Sequence, residues 1–264
     1  MESSTASSIS SPKSSDAGEV ITISCRGVVK RFYYYEQRTT TLRELFIRSL
    51  TRQPLSVKTS LFSLTGFDLT VHRGETVALI GSNGSGKSTV LRLIAGIYEP
   101  TEGVIETNGR VAAVIELGAG FHPELTGTEN IEFYGSVMGL TRGELAARFD
   151  DIVDFAGVRP FIDVPIKYYS SGMRARLAFA VSVCLDPDIL LVDEVLAVGD
   201  AAFRQRCLDR LDQLRNDGRT LLVVSHDFDI VTRICSRAVW LDKGVIRLQG
   251  PAQEVVDAYR AGAE

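Results

Sequence analysis

The feature that most constrains this chain is a strand that breaks into glycines: ETVALIG runs directly into GSNGSGKST and on into TVLRLIAGIY. An apolar run of strand length, a turn holding several glycines and a pattern of helical period, in that order, make a strand–loop–helix unit. At its centre Gly81, Ser82, Asn83, Gly84, Ser85, Gly86, Lys87 and Ser88, followed by Thr89, match G-x-x-x-x-G-K-[ST]. The glycines let the backbone curl so that successive N–H groups face one phosphate, and the helix adds its positive N-terminal end. Lys87 is placed for the β- and γ-phosphates of a nucleotide and Ser88 for Mg²⁺. An accidental Gly-Lys-Ser turn requires neither the strand before it nor the helix after it.

Such a site needs a second acidic contributor, and DILLVDE offers one: an apolar strand, Ile189 to Val192, ending in Asp193 and Glu194. Asp193 is suited to hold Mg²⁺ through water and Glu194 to polarise an attacking water. A third apolar strand, in RTLLVVSHD, puts His226 just past its end. Strands ending at Gly81, Asp193 and His226 would all open on one edge, the carboxyl edge where open parallel sheets carry their ligands.

Composition narrows the class further. At 264 residues and 45% hydrophobic, the chain can bury one large core or two small ones. Its net charge of −4, from 29 basic and 33 acidic side chains, provides no cationic excess for nucleic acid. Cys25, Cys184, Cys207 and Cys235 are widely spaced and form no C-x-x-C pair, which suits reduced, buried thiols. Apolar runs such as LAFAVSVCL fall well short of the ~18 residues that span a bilayer. The serine-rich opening, residues 1–18, has neither an apolar core nor a basic run and reads as a disordered tail, leaving 19–264 as a single unit.

One stretch remains, KYYSSGMRARLAFA, in which serines and a glycine open a helix. Phosphate loop, then SSGM, then LLVDE, then VSHD is the order found in the ATP-binding subunits of ABC transporters, and from about residue 21 to 260 the chain resembles them. The resemblance implies an α/β fold: a P-loop NTPase core with a mostly parallel sheet, an antiparallel β-subdomain and a helical subdomain. It implies that Ser170, Ser171, Gly172 and Met173, the signature, contact the γ-phosphate held by a second copy, so that two chains sandwich two ATP molecules head to tail with Mg²⁺. In that arrangement Glu194 is the general base, His226 holds the γ-phosphate and attacking water, and Asp200 joins the two sites. ATP becomes ADP and phosphate, and the cycle drives a separate integral membrane permease. A bare Ser N-cap accounts for Ser170 or Ser171 alone.

Three departures point within the family. The signature reads Tyr169, Ser170, Ser171, Gly172, Met173; VIELGAGFHPELTGTENI offers Glu116 or Leu117 where a glutamine is expected, with Glu116 preferred; and VLAVGD follows Glu194. All three look like the ATPase subunits of bacterial polysaccharide exporters, which move lipid-linked O-antigen, galactan, capsule or teichoic acid polymers. That places the chain, peripherally, at the cytoplasmic face of the inner (cell) membrane. The direction of transport follows from the resemblance alone. An importer or drug-exporter subunit is the rival within transporters; outside them stand a soluble ABC ATPase and a non-catalytic cassette, the latter at odds with an intact Lys87, Asp193, Glu194 and His226.

The remaining segments are read locally. Thr41 and Glu44 form a capping box for an inserted amphipathic helix over about 41–52, which either lies at the membrane interface, as a gate helix does in polysaccharide exporters, or packs on its own domain. Phe32 occupies the family's adenine-stacking position, with Tyr33, Tyr34 and Tyr35 as competitors. Asn108-Gly109 in VIETNGRVAAVIEL predicts a hairpin. A helical lobe follows over about 118–184, begun by a capping box of Thr126 and Glu129, with a groove where a permease's coupling helix would dock. RAVWLDKGVIRLQGPAQEVVDAY reads as a hairpin and a short helix, and because the chain stops there it is not expected to read a polymer's end.

Overall fold

The computed structural model describes residues 20–36, 57–115, 120–193 and 199–262. The serine-rich tail, the 41–52 segment, Glu116, Leu117 and Glu194 lie outside the described residues.

The chain forms two sheets. Strands β1 (Ile21–Glu36), β2 (Val57–His72) and β4 (Glu102–Thr107) make an antiparallel sheet in the order β2-β1-β4. Strands β3 (Thr76–Ile80), β5 (Val111–Val114), β6 (Ile189–Asp193), β7 (Thr220–Val224), β8 (Arg237–Asp242) and β9 (Val245–Pro251) make the second, in the order β5-β6-β7-β3-β8-β9. All its pairings are parallel except β8 with β9. The helices are α1 (Lys87–Ile94), α2 (Gly127–Val137), α3 (Arg142–Ala156), α4 (Ser171–Cys184), α5 (Ala201–Asn216), α6 (Phe228–Ile234) and α7 (Ala252–Gly262).

The continuous apolar runs of the central strands follow from burial on both faces. Along β6, Leu190 and Val192 enter one core, with Phe179, Phe203 and Leu211 from the helices. Ile189 and Leu191 enter a second core, with Leu91 of α1 and Ile23, Leu64 and Phe67 of the antiparallel sheet. Period-two side-chain alternation thus places a helical layer on one side and the antiparallel sheet on the other. The four cysteines are buried in these cores, which pushes the thiols up to about 11 for Cys184 and about 12 for Cys25, Cys207 and Cys235.

One sequence expectation is overturned. The strands flanking Asn108-Gly109 do not form a hairpin; β4 pairs with β1, whereas β5 pairs with β6 in the other sheet. Gly109 serves a crossing between sheets: its φ is +122°, and a Cβ there would lie 2.6 Å from the Cβ of Asp188. Asp188 needs that closeness, because its carboxylate accepts the Arg110 N–H at 2.9 Å. The second hairpin forms as read, with Lys243 (φ +48°) and Gly244 (φ +80°) making the two-residue turn between β8 and β9.

Helices α2, α3 and α4, with two short 3₁₀ turns at Arg159–Phe161 and Ile166–Tyr168, occupy the segment from 127 to 184. Thr126 and Glu129 cap α2 reciprocally, and Thr141 and Glu144 do the same for α3, which ends on Gly157 in the left-handed region. Among the described residues no helix is long and apolar enough to cross a membrane.

Candidate active site

Parallel register brings the three expected strand ends to one edge. Asp193 on β6 stands beside Val224 on β7, and Val224 stands beside Leu79 on β3, so the phosphate loop, Asp193 and the Ser225–His226 turn leave the sheet side by side.

The loop itself is fixed by packing. Gly81, Gly84 and Gly86 hold φ of +148°, +78° and +111°. A Cβ on Gly81 would lie 2.1 Å from the Leu241 carbonyl oxygen, and one on Gly86 2.7 Å from that of Ser63. Gly86 is also the N-cap of α1 and provides no side-chain cap, so the N–H groups of the helix's first turn are left for a ligand. Lys87 is buried, and its Nζ donates to the carbonyls of Gly81 at 2.8 Å and Ser82 at 3.0 Å. An ammonium held there, beside a ring of backbone N–H groups, concentrates positive charge where a phosphate chain would lie. Among the described residues the buried Ser85 hydroxyl has no hydrogen-bond partner. Ser82 and Asn83 are exposed at the loop's tip, and Ser88 is half-buried on the first turn. Thr89 is pinned from the antiparallel sheet, its Oγ1 lying 2.8 Å from Ser63 Oγ.

Among the described residues no three His, Cys, Asp or Glu side chains converge to cage a metal. The Ser88 hydroxyl and the Asp193 carboxylate are hard oxygen donors, a sparse set that suits Mg²⁺, which keeps waters and takes substrate phosphates.

The neighbouring turns are built with equal care. Ser225 Oγ accepts the Asp227 N–H at 3.0 Å. Asp227 in turn caps α6 through Ile230 N–H at 3.3 Å and pairs with Arg204 at 3.2 Å, leaving His226 exposed on a braced loop. Asp200 is the N-cap of α5, accepting the Phe203 N–H at 2.8 Å. Phe32 is half-buried and packs edge to face on Tyr98 with ring centroids 5.4 Å apart, while the Lys30 ammonium stands 5.1 Å from its ring; Tyr33 is exposed.

The signature lies elsewhere, in the helical lobe. Ser170 caps α4 by accepting the Met173 N–H at 3.1 Å, and buried Tyr169 donates its hydroxyl to the Phe161 carbonyl at 2.6 Å. Ser170 and Ser171 are exposed, and among the described residues neither bonds to the phosphate loop. Between α1, β5 and the lobe runs a cleft of about 590 Å³ lined by Arg92, Tyr98, Phe121, Tyr134, Val137 and Met138.

Two contributors were not singled out from sequence. Ser63 meets the loop through both its hydroxyl and its carbonyl, yet it lies in an ordinary strand run with no local signal. Asn130 is fully buried; its amide donates to the carbonyls of His122, Leu125 and Thr126 and its oxygen accepts the His122 N–H, fixing the turn that leads into α2. An asparagine on the apolar side of a helix, just after a capping box, was the available clue.

Known proteins fit this geometry. Residues 64–197 match the family model described as ABC transporter. An O-antigen export system ATP-binding protein, RfbB, of Myxococcus xanthus is 45% identical across 94% of this chain, which spans 56% of that protein's length. A protein of the same name from Klebsiella pneumoniae is 42% identical, with 90% of this chain covering 97% of its length. Among solved structures, a dimeric ATP-binding cassette in a post-hydrolysis state with ADP and Pi superposes with a TM-score of 0.70 at 21% identity, covering 87% of this chain and 98% of that one, a likeness of fold. With the family model over half its length and such identity along nearly all of it, this chain belongs to the ABC transporter family.

Proposed function

We propose that the chain is the ATPase of an exporter of lipid-linked polysaccharide, working as a head-to-tail pair with an integral membrane permease at the cytoplasmic face of the cell membrane. The observation that carries this reading is the identity along almost the whole length of the Klebsiella protein named for O-antigen export. Residues 19–264 act as one nucleotide-binding unit.

In this mechanism the N–H groups of residues 81–88 and Lys87 bind the β- and γ-phosphates, and Phe32 stacks on adenine. Ser88 and Asp193 hold Mg²⁺, which when bound neutralises developing charge on the phosphates. Glu194 takes a proton from the attacking water, and His226 keeps that water and the γ-phosphate in line. Ser170, Ser171, Gly172 and Met173 of one copy complete the site of the other, Asp200 bridges the two, and Glu116 reports the γ-phosphate to the permease. The exposure of Ser170 and Ser171 at the start of α4, an element separate from the phosphate loop and α1, supports completion by a second copy.

Purification from native cells in mild detergent tests the assignment. A stoichiometric polytopic membrane protein is expected, with ATP turnover stimulated by its lipid-linked polymer. Recovery with ribosomes or DNA instead would overturn it in favour of a soluble ABC ATPase.

A further inference from the structure

Ser85 lies inside the phosphate loop and is buried, so its carbonyl has to find a partner within the protein. The partner is the N–H of Gly244, 2.8 Å away in the turn between β8 and β9. The Gly244 carbonyl in turn accepts the Thr65 N–H of β2 at 3.0 Å, which ties that turn to the antiparallel sheet. The same hairpin meets the loop a second time where the Leu241 carbonyl closes on Gly81.

A trans peptide gives this bond its consequence. The Ser85 carbonyl and the Gly86 N–H belong to one planar unit and point in opposite directions. Holding the carbonyl toward the hairpin therefore holds the Gly86 N–H toward the opposite side of the loop. Gly86, at φ +111° and without a Cβ, does little by itself to oppose rotation of that peptide. Rotated, the unit would set a carbonyl oxygen where an N–H has to meet a phosphate anion.

We propose that Gly244 is a positioning residue for ATP: its N–H keeps the Ser85–Gly86 peptide turned so that the loop presents donors to the nucleotide's phosphates. This rests on the reading that residues 81–88 hold those phosphates. Glycine is required at 244 because φ is +80° and a Cβ would lie 2.6 Å from the Ser63 carbonyl oxygen and 3.0 Å from Leu64 Cα. Any side chain there moves the turn off Ser85.

The test compares binding with turnover in the full chain. In Gly244→Ala the binding-competent fraction of the loop falls, so the Kd and KM for ATP rise together, by about tenfold, while kcat at saturating ATP stays within about twofold. A second variant removes the N–H alone: glycolic acid in place of Gly244, introduced by joining residues 1–234 to a synthetic segment that begins at Cys235. The ester adds no Cβ, and the same rise in Kd is expected. An unchanged Kd in the folded ester chain overturns the proposal, also where Gly244→Ala fails to fold. So does a Gly244→Ala chain that loses folded protein and kcat in proportion while KM holds, since that is a structural role only. Lys87→Ala runs in parallel; ATP binding as tight as the parent's in that variant would sink the phosphate-loop reading itself, a result distinct from either outcome at Gly244.

Discussion

Glycine serves the phosphate loop and the signature for opposite reasons. At Gly81 the chain's own backbone forbids anything larger, since a Cβ would fall 2.1 Å from the Leu241 carbonyl oxygen at a φ of +148°. At Gly172, among the described residues and apart from its own helix backbone, a Cβ would first meet Ser170 Oγ at 3.9 Å, in the first turn of a helix that alanine would favour. The first glycine is explained within the molecule. The second is not required by the described residues around it, and on the proposed function the close approach of a second copy accounts for it. On that proposal one half of the site is finished where it stands, and the other half is a surface prepared for a partner.

The sharpest way to break the comparison is Gly81→Ala. The obstructing atom is the backbone carbonyl of buried Leu241, on a strand held between β3 and β9, so stability is expected to fall by more than about 3 kcal/mol and ATP binding to be lost. Thermal denaturation with titration calorimetry reads both, and a folded Gly81→Ala chain that binds ATP would show that the loop is not held by Leu241. Next in size is Glu194→Gln, which removes the proposed base and leaves residues 81–88 unchanged in sequence. ATP binding should persist while turnover drops about 10²- to 10⁴-fold, the ordinary contribution of a general base; near-normal turnover would remove Glu194 from that role. Smaller and more telling is Gly172→Ala. Its melting temperature should match or exceed the parent's and a single chain should bind ATP unchanged; if the signature of one copy approaches the phosphate held by another, as proposed, the added methyl group lowers hydrolysis on the order of tenfold. Unchanged hydrolysis in Gly172→Ala would detach the signature from the partner's nucleotide.

Legibility in the sequence follows the same division. The three strand ends could be placed on one edge because each is a short apolar run closed by a distinctive residue, and a parallel sheet aligns such ends whatever the intervening chain does. The Thr126–Glu129 box was readable because capping is settled within four residues. What could not be read depends on contacts between distant segments. Asn108-Gly109 carries a hairpin signal, yet its geometry is dictated by Asp188, which the sequence does not place nearby. Tyr169 was legible only as part of a departure at the signature; only the fold reveals that its ring is buried and its hydroxyl bound to the Phe161 carbonyl. The Lys243-Gly244 turn was recognised as a turn, but its hydrogen bond to Ser85 arises because β8 happens to lie beside β3.

The smallest effect separates the phosphate-loop half of the molecule from the lobe that carries the signature. Two of the lobe's helices begin with reciprocal boxes, Thr126 with Glu129 and Thr141 with Glu144. In each, the threonine backbone N–H and then its hydroxyl donate to the glutamate, holding that carboxyl below its ordinary value of 4.5. A carboxylate depressed on folding contributes stability that is fully present above its unfolded value and is lost as the pH falls through the lower folded value. Both side chains are solvent-exposed, so the contribution is small and salt-sensitive. The double variant Glu129→Gln/Glu144→Gln keeps the hydrogen-bonding shape without the charge. Its urea midpoint should lie below the parent's at neutral pH, and the gap should close on acidification as the parent's two carboxylates become protonated. The phosphate-loop edge contains no such box, so ATP affinity measured at neutral pH should be the same in both chains. A gap in midpoint that persisted undiminished into acid would mean that the lobe is held by the shape of its caps rather than by their charge, and a loss of ATP affinity would mean that the two halves are less independent than their glycines imply.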